Sequence, residues 1–140
     1  MNKVATKEWL TKAWHNLSTA RLLYELNHYS DIIAVEIHYA VEIHYAVEKS
    51  LKSFLASKNK KIPKTHNLLE IYAYTNDFIT FGNSELLLLK DISSYHIEES
   101  YPAFNRPLPE KEEIKEVLEF AEKLFKEVCD ILDINQEELK

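Results

Sequence analysis

An all-α fold, an antiparallel bundle of four to five helices in one domain spanning residues 1–140, follows from three features of this chain. It holds one Gly and four Pro, so helix breaks are few and long uninterrupted helices are favoured. Apolar residues recur at three- and four-residue spacing through most of its length. Hydrophobic residues make up 46% and charged residues 29%, a globular balance that excludes disorder and supports one substantial core. The net charge of −6 and pI near 5.5 argue against broad nucleic-acid binding and leave room for a local basic site.

The first helix is predicted near 6–27. Thr6 is its candidate N-cap, and Trp9, Ala13, Leu17, Ala20 and Tyr24 recur at helical spacing. A turn over 27–31 leads into a second helix near 30–57, capped by Ser30 or Asp31. Here a hexapeptide is written twice, Ala34-Val35-Glu36-Ile37-His38-Tyr39 and Ala40-Val41-Glu42-Ile43-His44-Tyr45, with a third start at Ala46-Val47-Glu48. Six residues advance a helix by about 600°, so each copy is turned about 240° from the last. No single apolar stripe survives that rotation, and the helix is predicted to touch neighbours on several sides. Val, Ile and Tyr favour strand, but period-2 alternation is broken and the segment outruns an ordinary strand. One extra hexapeptide adds about 9 Å of helix, which predicts a disturbance over 30–39 and in the contacts with the first helix.

Lysines at 58, 60 and 61, then Pro63, end the second helix. A third helix is predicted near 67–80 behind Thr65 or Asn67, and a fourth near 84–100 behind Ser84. The run Leu86-Leu87-Leu88-Leu89 is apolar on every side and predicts burial all round. Pro102 forces a stop, and Pro107-Leu108-Pro109 reads as an extended link. A last helix near 110–132 carries Ile114, Val117, Leu118, Ala121, Leu124, Phe125 and Val128 as an inner stripe with Glu and Lys outside. Residues 133–140 are expected to fray.

Little in this text advertises chemistry. The single Cys129 excludes an internal disulfide framework. No signal peptide opens the chain and no stretch approaches the roughly 20 apolar residues of a membrane span, so a cytoplasmic protein without membrane contacts is expected. Of six histidines, His38 and His44 point about 240° apart and cannot converge on one ion. HExxH, paired-Cys and EF-hand spacings are absent, as are phosphate loops, dinucleotide fingerprints and a nucleophile elbow. No metal or cofactor is expected.

Several pieces in fixed order carry a resemblance. These are Trp9 with Ala13, Ala20-Arg21-Leu22-Leu23, Tyr29, Ala46-Val47-Glu48-Lys49-Ser50-Leu51-Lys52, and Pro63-Lys64-Thr65-His66-Asn67-Leu68. Together they resemble the HEPN family, whose second helix reads Ala-x-Glu-Lys-x-Leu-Lys and whose next helix begins at Thr-His-x-Leu. The likeness runs from about Lys7 to Leu132. It implies a bundle of four long helices and a short one, often dimeric, and a nucleotidyltransferase-like partner in a toxin–antitoxin type of module. Other members of the family are metal-independent ribonucleases. With one hexapeptide removed, the second helix comes nearer the family's usual length, so a variant bearing a helix insertion is a further reading.

The catalytic members use an Arg, four to six residues, then a His, late in the domain. The Arg holds a phosphate while the His exchanges the proton of a 2′-hydroxyl. In this chain Arg106 has no later His, and His96 precedes it by ten positions. Arg21 and His28 have the spacing, but at the end of the first helix. Tyr95 and Tyr101-Pro102 resemble an element of non-catalytic members. A non-catalytic interaction subunit is therefore expected, with an RNA-cleaving toxin as the alternative. Lys49, Lys52, Lys64 and His66 form the candidate phosphate or nucleotide site. Their structural alternative is a Glu48–Lys52 surface pair and a histidine that caps or bridges the turn.

Overall fold

The computed structural model describes residues 1–27, 33–95 and 111–139, the side chains of 27, 33–39 and 111 aside. Five α-helices stand in order: α1 Lys3–Asn27, α2 Ile33–Ser57, α3 Leu68–Thr75, α4 Asn83–Ser93 and α5 Lys111–Ile131. A 3₁₀ turn follows at Gln136–Leu139. The described residues contain no strand.

The helix α2 is the centre of the bundle and packs against each of the other four. Within the repeat's described part Ala40, Ile43 and His44 are buried and Val41, Glu42 and Tyr45 are partly exposed, whereas beyond the repeat every residue from Ser50 to Ser57 is buried. Three serines sit in that stretch without cost because each satisfies its own hydroxyl. Ser50 donates to the Ala46 carbonyl at 2.7 Å, Ser53 to Ser50 at 2.6 Å and Ser57 to Phe54 at 2.6 Å. The predicted disturbance is absent from the described backbone of the repeat, since α2 is helical without interruption from Ile33 through both copies; the contacts of side chains 33–39 with the first helix lie outside what is described. Residues 30–32 lie outside the described ones. Its i→i−4 bonds are local, so a repeat changes which side chains face which neighbour while the backbone stays regular.

α1 runs antiparallel to α2. The Asn2 N–H donates to the Ser57 carbonyl at 2.9 Å, and further along Asn16 donates to Glu42 at 2.6 Å. α1 is antiparallel to α5 as well, with Arg21 paired to Glu122 of α5 and Lys7, nearer the start of α1, paired to Glu138 of the 3₁₀ turn that follows it. Trp14 packs on Phe125 across that contact, ring centroids 5.7 Å apart.

Helix ends differ from expectation where side chains had to be assigned without knowing the fold. Asn2, not Thr6, starts α1: its Oδ1 accepts from the Ala5 N–H at 3.1 Å, and Thr6 is buried and donates its hydroxyl to the Asn2 carbonyl. α2 stops in a backbone motif rather than at its lysines. Asn59 is left-handed, φ +54°, the Lys60 N–H reaches the Leu55 carbonyl at 3.0 Å, and Asn59 reaches Ala56 at 3.1 Å. The same motif closes α5, with Asp133 at φ +54° and Ile134 bonded to Cys129 at 2.9 Å.

Asn67 caps α3, its Oδ1 accepting from Leu69 at 3.0 Å and Glu70 at 3.2 Å. That helix ends at Thr75, short of the predicted 80, and Phe78 beyond it stacks on Phe54. α4 begins behind Gly82 instead of Ser84, with Glu85 accepting the Gly82 N–H at 3.2 Å. It ends at Ser93; the predicted continuation over 96–100 lies outside the described residues. The leucine run is not buried all round: Leu89 is, Leu86 and Leu88 are partly covered, and Leu87 is 65% exposed, because only one side of α4 meets the bundle. The expected fraying after 133 is replaced by the 3₁₀ turn, which buries Leu139.

An eight-residue helix is too short to hold itself together, so the cap matters. Asn67→Ala is expected to cost about 1 kcal/mol in urea unfolding, with most of it restored in Asn67→Ser. Unchanged stability in the Ala variant would show the cap idle.

Candidate anion-binding site

Four residues on one face of α2, Tyr45, Glu48, Lys49 and Lys52, stand three, four and seven positions apart, which stacks them along one side of the helix. α1 brings Trp9 and Lys12 opposite them. The closing motif at Asn59 then turns the chain so that Ile62, Pro63, Lys64 and His66 complete a cavity of about 650 Å³. Lys49, Lys52, Lys64 and His66, the residues singled out in the sequence, all line this one cavity. Trp9, Lys12 and Tyr45 join them. Sequence reasoning missed the role of these three because it depends on how α1 packs, although Trp9 and Lys12 share a helical face.

Glu48 forms the polar floor. It is 4% exposed and bonds His66 Nδ1 through Oε1 at 2.8 Å and Lys52 Nζ through Oε2 at 3.1 Å. Beneath it His44, fully buried, donates Nε2–H to the His66 carbonyl at 2.9 Å. The pairing expected of Glu48 and Lys52 is therefore present, but as a buried pair, each side chain 5% exposed. His66 bridges the turn by its ring and carbonyl, and Asn67 takes the cap.

Four lysines line the cavity against one carboxylate, so a chain that is acidic overall presents a cationic pocket. Lys52 and Lys12 also lie 6.0 and 5.7 Å from the Trp9 ring centroid, and Lys49 lies 5.3 Å from that of Tyr45. Lys49 Nζ donates to Asn16 Oδ1 at 2.7 Å. Burial pushes the Lys49 pKa down, Lys12 and Lys52 add to that, and Glu42 and Glu48 oppose it. Cations and ring faces in one cavity of this size suit a ligand with an anionic end and a flat apolar end.

Of the alternative pair, only Arg21 lies among the described residues. Arg21 is engaged by Glu122 of α5, with Nε 3.3 Å from Oε2, and this bond raises its pKa. His28, like His96 and Arg106, lies outside the described residues. A second cavity, about 320 Å³, has Lys3 and Lys7 facing Asp130, Asp133 and Glu138; its charges offset one another, and Lys7 is already paired with Glu138. Among the described residues no group of three or more His, Cys, Asp or Glu is placed to hold a metal ion. None of the described helices is long and apolar enough to cross a membrane.

Among known proteins, no curated protein matches this chain and no solved structure matches it. The family model for the HEPN domain matches residues 6–132, a span that takes in α2 to α5, all of α1 but its first three residues, and every residue lining the cationic cavity. By that match this chain belongs to the HEPN domain family.

Proposed function

We propose that this chain is a non-catalytic HEPN interaction subunit whose cationic pocket binds a nucleotide through its phosphates. The observation that carries this reading is the gathering of Lys12, Lys49, Lys52 and Lys64 with His66 around one cavity walled by Trp9 and Tyr45. Ammonium groups recognise phosphate as point charges, and base–aromatic stacking adds about 1–3 kcal/mol per base. Arg21 held by Glu122 weighs against its use as a catalytic Arg. Assembly as a homodimer and pairing with a nucleotidyltransferase-like protein in a toxin–antitoxin type of module rest on the family resemblance.

Calorimetric titration with ATP tests the pocket. Saturable binding is expected, and Lys12→Ala and Lys64→Ala, both at exposed positions, are each expected to weaken it roughly tenfold or more, from about 1.5–3 kcal/mol per charged contact. Absence of saturable binding, or equal binding by both variants, would remove the nucleotide reading. RNA cleavage by purified protein that is lost in Arg21→Ala would overturn the non-catalytic assignment. Sedimentation should give the dimer mass. The gene beside this one should encode a minimal nucleotidyltransferase that co-elutes with it; independent elution would dismiss the pairing.

A further inference from the structure

The four lysines of the cavity are not alike. Lys12 and Lys64 are exposed and solvated. Lys52 is bound to Glu48, so its nitrogen is committed to a carboxylate. Lys49 alone is half-buried on the cavity wall and anchored to a neutral acceptor, Asn16 Oδ1 at 2.7 Å. Asn16 is itself fixed through its amide nitrogen, 2.6 Å from Glu42 Oε2. An amine donating one N–H to an amide oxygen keeps its orientation when it loses a proton, and the neutral form then has a lone pair to offer. Partial desolvation favours that neutral form most, Glu42 and Glu48 oppose it, the Lys12 and Lys52 cations support it, and the balance lowers the Lys49 pKa.

From this arrangement we infer that Lys49 is an acylation site for small acyl phosphates, which the pocket captures by their phosphate end. The inference rests on the reading of the pocket as a phosphate site and adds a covalent regulation to it. Lys12 and Lys64 hold the phosphate while the neutral Lys49 Nζ attacks the acyl carbon. The C–N bond forms, the C–O bond to phosphate breaks, and inorganic phosphate leaves with the electron pair. The proton shed by Nζ goes to the departing phosphate. No oxidant, reductant or metal enters the balance. The product is an uncharged amide, so acylation removes one of the pocket's cations and weakens its hold on anions.

Incubation of the full chain with acetyl phosphate, followed by peptide mass spectrometry over time, tests this. Lys49 is expected to acetylate roughly tenfold faster than the exposed Lys90, Lys115 and Lys126, the effect of holding the reagent beside the amine. The excess should disappear in Lys64→Gln and Lys12→Gln while the three exposed lysines react as before. It should also disappear when an uncharged acetylating ester replaces acetyl phosphate. Acetylation of Lys49 no faster than the exposed lysines would overturn the inference. So would an excess that persists with the uncharged ester or in both variants, since the phosphate end would then play no part. ATP titration of the unacetylated protein reports the pocket independently, so a failure of acylation is distinguishable from a failure of the nucleotide reading.

Discussion

Glu48→Ala is expected to lower the free energy of unfolding by about 3–5 kcal/mol, read from urea denaturation, because it strands a buried ammonium. Lys52 and Glu48 have side chains only 5% exposed and sit 3.1 Å apart, so Lys52 has little water to replace its partner. The same change removes the acceptor of His66, loosening the segment that carries Lys64. Restoring a neutral interior should separate the two effects. A Glu48→Ala/Lys52→Met double variant is expected to regain most of the stability, since the unpaired charge is gone. Glu48→Gln keeps an acceptor of the same shape and should cost less than Ala. A single Ala variant as stable as the parent would mean that Lys52 escapes to water and that the buried pair adds nothing.

Phe54→Ala should cost about 3–5 kcal/mol by the same measurement, through lost transfer energy and the cavity left behind. Phe54 is fully buried in the last turn of the central helix, and its ring stacks on Phe78 at 4.8 Å between centroids. That contact ties the chain beyond α3 to α2, so the loss should also loosen the α3–α4 connection. The contrasting change is Leu87→Ala, at a side chain 65% exposed, expected within about 0.5 kcal/mol of the parent. Equal costs at Phe54 and Leu87 would mean that α4 buries its outer side in the protein as it exists in solution.

How far the residues alone reached can be seen helix by helix. The long helices and the central place of α2 were legible because apolar periodicity and its loss at the repeat are properties of one segment, read without knowing its neighbours. Thr65 or Asn67 as the cap of α3 was legible for the same reason, since an N-cap bonds two or three residues ahead, and the fold selects Asn67. Thr6 and Ser84 looked equally good as caps. They failed because a contact distant in sequence, Asn2 to Ser57, and the backbone at Gly82 set the true starts.

The cationic site shows the same division. Lys49, Lys52, Lys64 and His66 could be named from the sequence, since all four lie in the two pieces, Ala46 to Lys52 and Pro63 to Leu68, that carry the family resemblance. Glu48 and Lys52 were legible as neighbours one helical turn apart, but whether that pair is wet or buried is decided by what covers the helix. Tertiary packing made it the floor of a cavity, added Trp9 and Lys12 from α1, and occupied Arg21 with Glu122. It also left Leu87 outside while burying Leu89. Spacing along a chain determines which side chains share a face; only the docking of one helix on another determines what that face meets.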